Sequence, residues 1–367
     1  MKGVVLVGGE GTRLRPLTLH LPKPVVPIVN RPFLERMIRW MSGYGVCEII
    51  LALGYLPDKI REQLGDGRAL GVNLAYSVEE APLGTAGAVK HAAGSLTDTC
   101  FVFNGDILTD LDLAAMLAAH RRAQAVVSIA LTPVDDPTQY GVVEFDAEGR
   151  VQRFVEKPRP DEVRSHYINA GTYLIEPAVL ERVPAGQYWM FERQLFPELV
   201  AAGERVFAFP TDAYWIDIGT PEKYRQVHAD LLAGRLRDHL GSPRGNGLWV
   251  GDGCQIDPAA TLNGPVVLGD RVRIGPGAVV SGPTVIGADS VIGANARVAE
   301  SILWERVQVG EGAIVSECII ANDCRVEGQA YRAILGARVE VEAGNWLDRG
   351  IRVWPERVIP RDTLRFG

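Results

Sequence analysis

Cysteine is scarce and odd in number: Cys47, Cys100, Cys254, Cys318 and Cys324 are spread over 367 positions. Five scattered thiols in mostly apolar surroundings, with no clear metal-ligand spacing, argue against a disulfide framework and predict reduced core residues in a reducing compartment. Positive charge is not in excess either. The formal net charge of -7 removes the footprint that general nucleic-acid or anionic-membrane binding requires, while leaving room for a local basic pocket that holds a phosphorylated small molecule. No apolar run approaches the length of a membrane span, and the first residues enter a strand-like run with no charged leader, so the expected location is the cytoplasm. The histidines at 20, 91, 120, 166, 228 and 239 form no triad and no metal constellation. What is present is ordinary for a globular chain, 47% apolar and 23% charged, at a length for which two domains is the default.

The two parts differ in grammar. Through about residue 235, short runs rich in Val and Ile (MKGVVLV, CEIILAL, VNLAYSV, CFVFNGD, AVVSIAL) read as strands. Between them FLERMIRWMSGYG, PDKIREQLGD, GTAGAVKHAAGSL and LDLAAMLAAHRRAQ carry apolar residues at helical spacing, and TPEKYRQVHADLLAG closes the part. Alternating strands and helices predict crossover units around a largely parallel sheet, with ligands bound at the carboxyl ends of its strands. A linker is expected over 236–247. From 248 the chain falls into sixes whose third column is Val250, Ile256, Leu262, Leu268, Ile274, Val280, Ile286, Ile292 and Val298, aliphatic without exception. Gly follows that column at 251, 269, 275, 287 and 293. Such a hexad is the signature of a parallel β-helix, each side of a coil being one six-residue unit. Past Ser301 the register slips, resumes loosely at Val309 and Val315 and fades towards the WPERVIPRDTLRFG tail, where an irregular cap is expected. The expected division is therefore 1–235, a linker at 236–247, and a β-helix over 248–367.

The loop GGEGTRLRPLTLHLPKP, residues 8–24, follows the first strand. It lacks the Gly-Lys-Ser/Thr of a Walker loop, and Leu14 stands where the third glycine of a dinucleotide fingerprint belongs. Glycines alone leave a plain turn and a binding loop equally open. Gly8, Gly9 and Gly11 let backbone N–H groups approach a polyanion; Arg13 and Lys23 add one planar and one point charge; Pro16, Pro22 and Pro24 stiffen the segment. That combination suits a triphosphate.

These residues resemble the signature of the sugar-1-phosphate nucleotidyltransferases, the nucleotide-sugar pyrophosphorylases. EEAPLGTAGAV (79–89), FNGD (103–106), FVEKP (154–158), NAGTY (169–173) and WIDIGTPEKY (215–224) are similar to further blocks of that family in the family order. YGVVEFD, RFVEKP and EEAPLGTAGAV look most like its mannose-1-phosphate guanylyltransferase branch. The resemblance implies a Rossmann-like mixed, mostly parallel sheet followed by a left-handed parallel β-helix of hexapeptide repeats. It also implies a reaction in which a sugar 1-phosphate attacks the α-phosphorus of a nucleoside triphosphate and pyrophosphate leaves. By resemblance, Arg13 contacts the β- and γ-phosphates, Lys23 the α-phosphate, and Lys157 holds the sugar phosphate. Gly8, Gly9, Gly11, Thr12, Gly84 and Thr85 line the nucleotide; Glu156, Asn169 and Gly171 line the sugar. Asp106 and Asp217 hold Mg2+, whose hard-oxygen preference two carboxylates suit. Asp110 and Asp112 read instead as a helix start, and Thr220 as a helix cap.

Guanine presents two adjacent donors, which an ionised carboxylate is matched to accept. Glu79 or Glu80 is therefore the expected base reader, Glu79 by its spacing to Gly84, and GTP the expected nucleotide. Glucose 1-phosphate with UTP or dTTP is the second enzyme reading. A non-catalytic paralogue that binds nucleotide sugar is the third, and the retained Arg13, Lys23, Asp106, Lys157 and Asp217 count against it. Where guanylyltransferase relatives tend to carry Ser-Ile-Glu, this chain has YWMFERQLFP (188–197); Trp189, Met190 and Phe191 either reshape a sugar-side wall or repack a helix entrance. No histidine occurs after His239, so the β-helix lacks the base that acyltransferases of similar coil use. An assembly or regulatory role is expected for it, with self-association into a homo-oligomer.

Overall fold

The computed structural model describes residues 1–54, 56–92, 94, 96–237, 240, 243 and 245–364. Positions 238, 239, 241, 242 and 244 of the expected linker, and the last three residues of the tail, lie outside that set. Packing groups the chain into two compact bodies. The first comprises Met1–Glu10 and Leu34–Asp217; the second comprises Gly11–Phe33 and Ile218–Gly367.

The first body is built on a nine-stranded mixed sheet. Its strands are β1 (Lys2–Val7), β2 (Glu48–Leu53), β3 (Asn73–Val78), β4 (Cys100–Asn104), β6 (Val127–Pro133), β7 (Gly141–Phe145), β8 (Val151–Glu156), β9 (Tyr167–Ile175) and β10 (Val206–Pro210). A two-stranded ribbon pairs β5 (Ile107–Thr109) with β11 (Trp215–Asp217). β1 lies between β2 and β4, parallel to both. The chain thus leaves β1 to one side and returns to build the other, and the carboxyl ends of β1 and β4 form the switch point where such sheets bind ligands. The strands read from sequence all form. Beyond β4 the sheet is antiparallel where β9 pairs with β4, β6 and β7. Helices α1 (Phe33–Gly43), α2 (Pro57–Leu64), α3 (Gly84–Ala92), α4 (Leu113–Ala123) and α5 (Phe196–Ala201) accompany the sheet. Asp112 caps α4, accepting from Ala115 N at 2.9 Å, as its position before the apolar run predicts. Among the apolar side chains of its core, the large rings of Phe101, Phe103, Tyr173, Phe191 and Phe196 are all fully buried.

The second body is a left-handed parallel β-helix with helix α6 (Pro221–Leu232) and the segment Gly11–Phe33. Three parallel sheets of seven, seven and six strands form its sides. The hexad column points inward, and Leu268, Ile274, Val280, Ile286, Ile292 and Val298 are buried. Ile256, in the first coil, is 38% exposed because no coil lies beneath it. The register slips past Ser301 as expected, but the β-helix does not fade towards the tail: its stacked strands continue to Val358–Ile359. Ile286 stacks on Leu303, Ile320 on Leu335 and Leu335 on Val353, so the coil length falls from eighteen residues to seventeen and fifteen and returns to eighteen while the inward column continues through Val341, Leu347, Val353 and Ile359. Residues are lost at the corners between strands, and the aliphatic register that drives burial is kept. Buried Asn345 closes the last coil. Its Nδ2 donates to the carbonyls of Glu342, Ile359 and Pro360, and its Oδ1 accepts from Thr363 N and Leu364 N. Thr220 caps α6 through Lys223 N, as expected.

Candidate active site

In the first body the loops after β1, β2 and β4 converge. Gly105 donates its N–H to the Leu6 carbonyl at 2.9 Å, and a Cβ at Gly105 would stand 2.5 Å from that oxygen. Glycine is required there so that the Asn104–Asp106 turn can lie against β1. Gly8 and Gly9 differ: both are exposed, and a Cβ on either would meet nothing within 4 Å among the described residues. The fold does not demand glycine at these positions, which leaves bare backbone facing open space.

Asp106 and Asp217 come together through the ribbon. β11 pairs antiparallel with β5 so that Asp217 lies opposite Ile107, the residue after Asp106. Both aspartates are half-buried at the same ribbon end. Tyr140 donates its hydroxyl to Asp217 Oδ1 at 3.4 Å, while its carbonyl accepts from Lys157 N at 2.9 Å. Lys157 holds a left-handed backbone, φ 51°, immediately after β8, and its side chain is exposed. One tyrosine therefore ties the lysine of FVEKP to the aspartate of WIDIG. Among the described residues no group of three or more His, Cys, Asp or Glu is arranged to hold a metal. The donor set is two carboxylates, which fits Mg2+, an ion that takes its remaining ligands from phosphate and water.

NAGTY forms a bulge in β9, where the register with β6 shifts between Asn169 and Tyr173. Asn169 Oδ1 accepts from Gly171 N at 2.9 Å, and its Nδ2 donates to the Tyr173 hydroxyl at 2.7 Å. Gly171 has φ 68°, and a Cβ there would stand 2.3 Å from Ile107 Cδ1 and 2.7 Å from Asn104 Nδ2. Trp215 Nε1 donates to the Ala170 carbonyl at 3.0 Å, fixing the bulge against the ribbon. Asn169 is thus at the site, but its amide is already engaged in shaping it.

Glu156 ends β8 half-buried, and burial first, then the charge of Glu192, push its carboxyl above the usual range; Lys157 and Arg193 pull it back. Glu192 itself is buried and raised by desolvation, against the stabilising hydrogen bond from Thr85. Thr85 Oγ1 donates to Glu192 Oε2 at 2.7 Å and accepts from Phe191 N at 2.9 Å. The Thr85 hydroxyl is spent inside the protein. Gly84, φ 70°, lies under the Trp189 backbone, with the Trp189 carbonyl 2.7 Å from where a Cβ would stand. That carbonyl accepts from both Ala86 N and Gly87 N. Phe191 stacks on Phe196. The 188–197 run therefore repacks the entrance to α3 and α5. Glu79 is half-buried and uses Oε2 to accept from Leu83 N at 2.9 Å, bracing the loop into α3; Glu80 is exposed.

The remaining sequence candidates belong to the second body. Gly11, φ 63°, has Lys23 Cβ and Thr18 Cγ2 at 3.0 and 3.2 Å from a would-be Cβ, and Thr18 Oγ1 donates to the Gly11 carbonyl at 2.7 Å. This contact closes Gly11 onto Thr18 and Lys23. Lys23 is buried, in a tight turn between Pro22 and Pro24; Thr12 and Arg13 are exposed. Sequence reasoning missed Tyr140, Tyr173, Trp215 and above all Glu192. The available signal for Glu192 was a lone carboxylate among Phe191, Leu195 and Phe196.

Residues 2–234 match the family model described as Nucleotidyl transferase. This chain belongs to the nucleotidyl transferase family. Residues 262–365 of this nucleotidyl transferase match a second model, the GMPPB C-terminal domain. It is 42% identical over 272 residues to the mannose-1-phosphate guanylyltransferase of Mycobacterium tuberculosis, covering 72% of this chain and 74% of that one. To the probable mannose-1-phosphate guanylyltransferase 2 of Arabidopsis thaliana it is 39% identical over 278 residues, 70% of this chain and 75% of that one. Among solved structures, HddC from Yersinia pseudotuberculosis superposes with a TM-score of 0.55 at 32% identity, covering 63% of this chain and 99% of that one. Another structure of HddC is complexed with GMP-PN. These relatives make the chain a sugar-phosphate nucleotidyltransferase. No helix among its described residues is long and apolar enough to cross a membrane.

Proposed function

We propose that this nucleotidyl transferase joins mannose 1-phosphate to GTP. A sugar-phosphate oxygen forms a bond to the α-phosphorus, the bond from that phosphorus to the bridging oxygen breaks, and pyrophosphate leaves. The observation that carries the reading is the pairing of β11 with β5, which sets Asp217 beside Asp106 at one ribbon end, with Lys157 tied to Asp217 through Tyr140. This supports a pair of carboxylate donors for a divalent ion, with Lys157 anchored to the same tyrosine by its backbone N–H and so available for the attacking phosphate. A bound Mg2+ would neutralise phosphate charge, with Asp106 and Asp217 as its protein ligands.

The protein's own work is alignment and charge compensation. Arg13 binds the departing pyrophosphate and Lys23 the α-phosphate, the latter from a buried position between two prolines. Gly8, Gly9, Gly11 and Thr12 offer backbone to the phosphates, as Gly84 and Thr85 do to the nucleoside. Lys157 orients the sugar phosphate; Glu156, Asn169 and Gly171 bound the sugar. Glu79 reads guanine with the carboxylate capacity left after its bond to Leu83 N, and the name of the Mycobacterium tuberculosis relative supports both GTP and mannose 1-phosphate. We assign catalysis to 1–235, the linker to 236–247 and assembly to the β-helix of 248–367. Ile314 and Trp346, both exposed in one column of its third sheet, support self-association there.

Pyrophosphate release over a grid of GTP, UTP and dTTP against mannose 1-phosphate and glucose 1-phosphate tests the reading. Turnover is expected with GTP and mannose 1-phosphate. Good turnover with UTP and none with GTP overturns the base assignment, and silence across the grid with nucleotide-sugar binding retained makes the chain a regulatory paralogue.

A further inference from the structure

The segment Gly11–Phe33, which carries Arg13 and Lys23, is tied to the rest of the second body by side-chain hydrogen bonds from Asn30, Tyr224 and Arg352. Asn30 Nδ2 donates to the Ile286 carbonyl at 3.0 Å. Tyr224 of α6 donates to the Pro27 carbonyl and accepts from Trp304 Nε1 at 3.0 Å, both rings being buried. Arg352 places a single nitrogen, Nη1, 3.2 Å from the Arg13 carbonyl and 3.0 Å from the Arg15 carbonyl.

The position of Arg352 is unusual within its sheet. The outward column runs Trp249, Val267, Val285, Ile302, Ile319, Ile334 and then Arg352, each residue paired in register with the next. Six apolar positions are followed by a guanidinium at the coil that meets the loop. The inward neighbour Val353 continues the core column, so closing the β-helix does not call for charge at 352. A cation bridging two carbonyls two residues apart fixes the peptide planes between them, and charge-assisted bonds of this kind are stronger than neutral ones.

We infer that Arg352 is a positioning residue for nucleotide binding: it holds the backbone on which Arg13 is mounted, and so makes the last coils of the β-helix part of the catalytic apparatus. The inference deepens the proposed function and rests on Arg13 engaging the triphosphate. Pre-ordering that backbone removes an entropic cost from each binding event. Because Arg352 is exposed, its bonds are screened, and the expected effect is about three- to ten-fold.

The test uses the full chain and steady-state pyrophosphate release with GTP and mannose 1-phosphate, comparing R352M, R352K and R13A. R352M should lower kcat/KM for GTP by about three- to ten-fold, leave KM for mannose 1-phosphate at saturating GTP unchanged, and keep the wild-type melting temperature. R352K should recover part of the loss. R352Q carries the same comparison if R352M does not fold. Severe loss in R13A with wild-type kinetics in R352M overturns the positioning role. A parallel loss for both substrates with lowered melting temperature and no rescue by lysine also overturns it, leaving Arg352 as a brace. Wild-type rates in R13A would instead remove the reading on which the inference rests.

Discussion

Glu192 is the residue whose replacement probes the site's architecture most sharply. Its two oxygens take hydrogen bonds from Thr85 Oγ1 at 2.7 Å and from the Tyr173 hydroxyl at 3.4 Å, in a place where burial raises its carboxyl pKa. Glu192→Ala strands both hydroxyls and opens a void. At about 1–3 kcal/mol for each unsatisfied buried donor, the loss is roughly 2–6 kcal/mol, or on the order of 5–20 °C in melting temperature. Glu192→Gln keeps the shape and one acceptor oxygen without the charge, leaves one of the two hydroxyls without its acceptor, and should cost about half as much as Glu192→Ala at neutral pH. The pH dependence separates the two explanations. With its native pKa raised, Glu192 binds more protons folded than unfolded, so its contribution to stability falls as pH rises from the ordinary glutamate range through the raised native value. E192Q should lack that decline. Removing the charge also lets Glu156 ionise at lower pH, so the acid limb of kcat/KM for the sugar phosphate should move down. Melting temperatures from pH 4 to 8, with matching rate profiles, provide the readout. Equal slopes in wild type and E192Q, together with an E192A protein of wild-type stability, would refute the reasoning.

Lys23→Ala or Asp217→Asn should lower turnover by orders of magnitude with far-UV circular dichroism unchanged; near-wild-type rates in either remove that residue from the mechanism. Gly171→Ala forces a Cβ to 2.3 Å from Ile107 Cδ1 at φ 68°, so it should cost about 2–4 kcal/mol and disturb Asp106 with it. Denaturation midpoints alongside activity check both effects. Burial pushes the thiols of Cys100, Cys318 and Cys324 up to about 12. An aromatic disulfide reagent at pH 8 should leave those three unmodified in the native protein and reach all five cysteines only on unfolding.

Much of this was legible because it is periodic or local. The inward column from Leu268 to Val298 is a one-dimensional signal, and so are the caps at Asp112 and Thr220. The same periodic reading faltered past Ser301, where corners lose residues and only the stacked coil reveals that Leu303 sits on Ile286. Two facts depend wholly on tertiary pairing. Asp106 and Asp217 meet because β11 is zipped to β5, and Glu192 enters the site because Thr85 and Tyr173 converge on it from distant elements. Motif residues also proved busier than their motifs suggest, since Asn169 and Thr85 both spend side-chain bonds on holding backbone. The packing of Gly11–Phe33 with the β-helix had no sequence signal beyond a lone Arg352 ending an apolar column.

Nucleotidyl transfer from GTP to mannose 1-phosphate by the purified full chain, followed by pyrophosphate release before and after chelation and after magnesium is restored, tests the central claim most directly. Chelation is expected to abolish turnover and added magnesium to restore it. Full turnover in excess chelator, or none with magnesium and both substrates present, would contradict the claim.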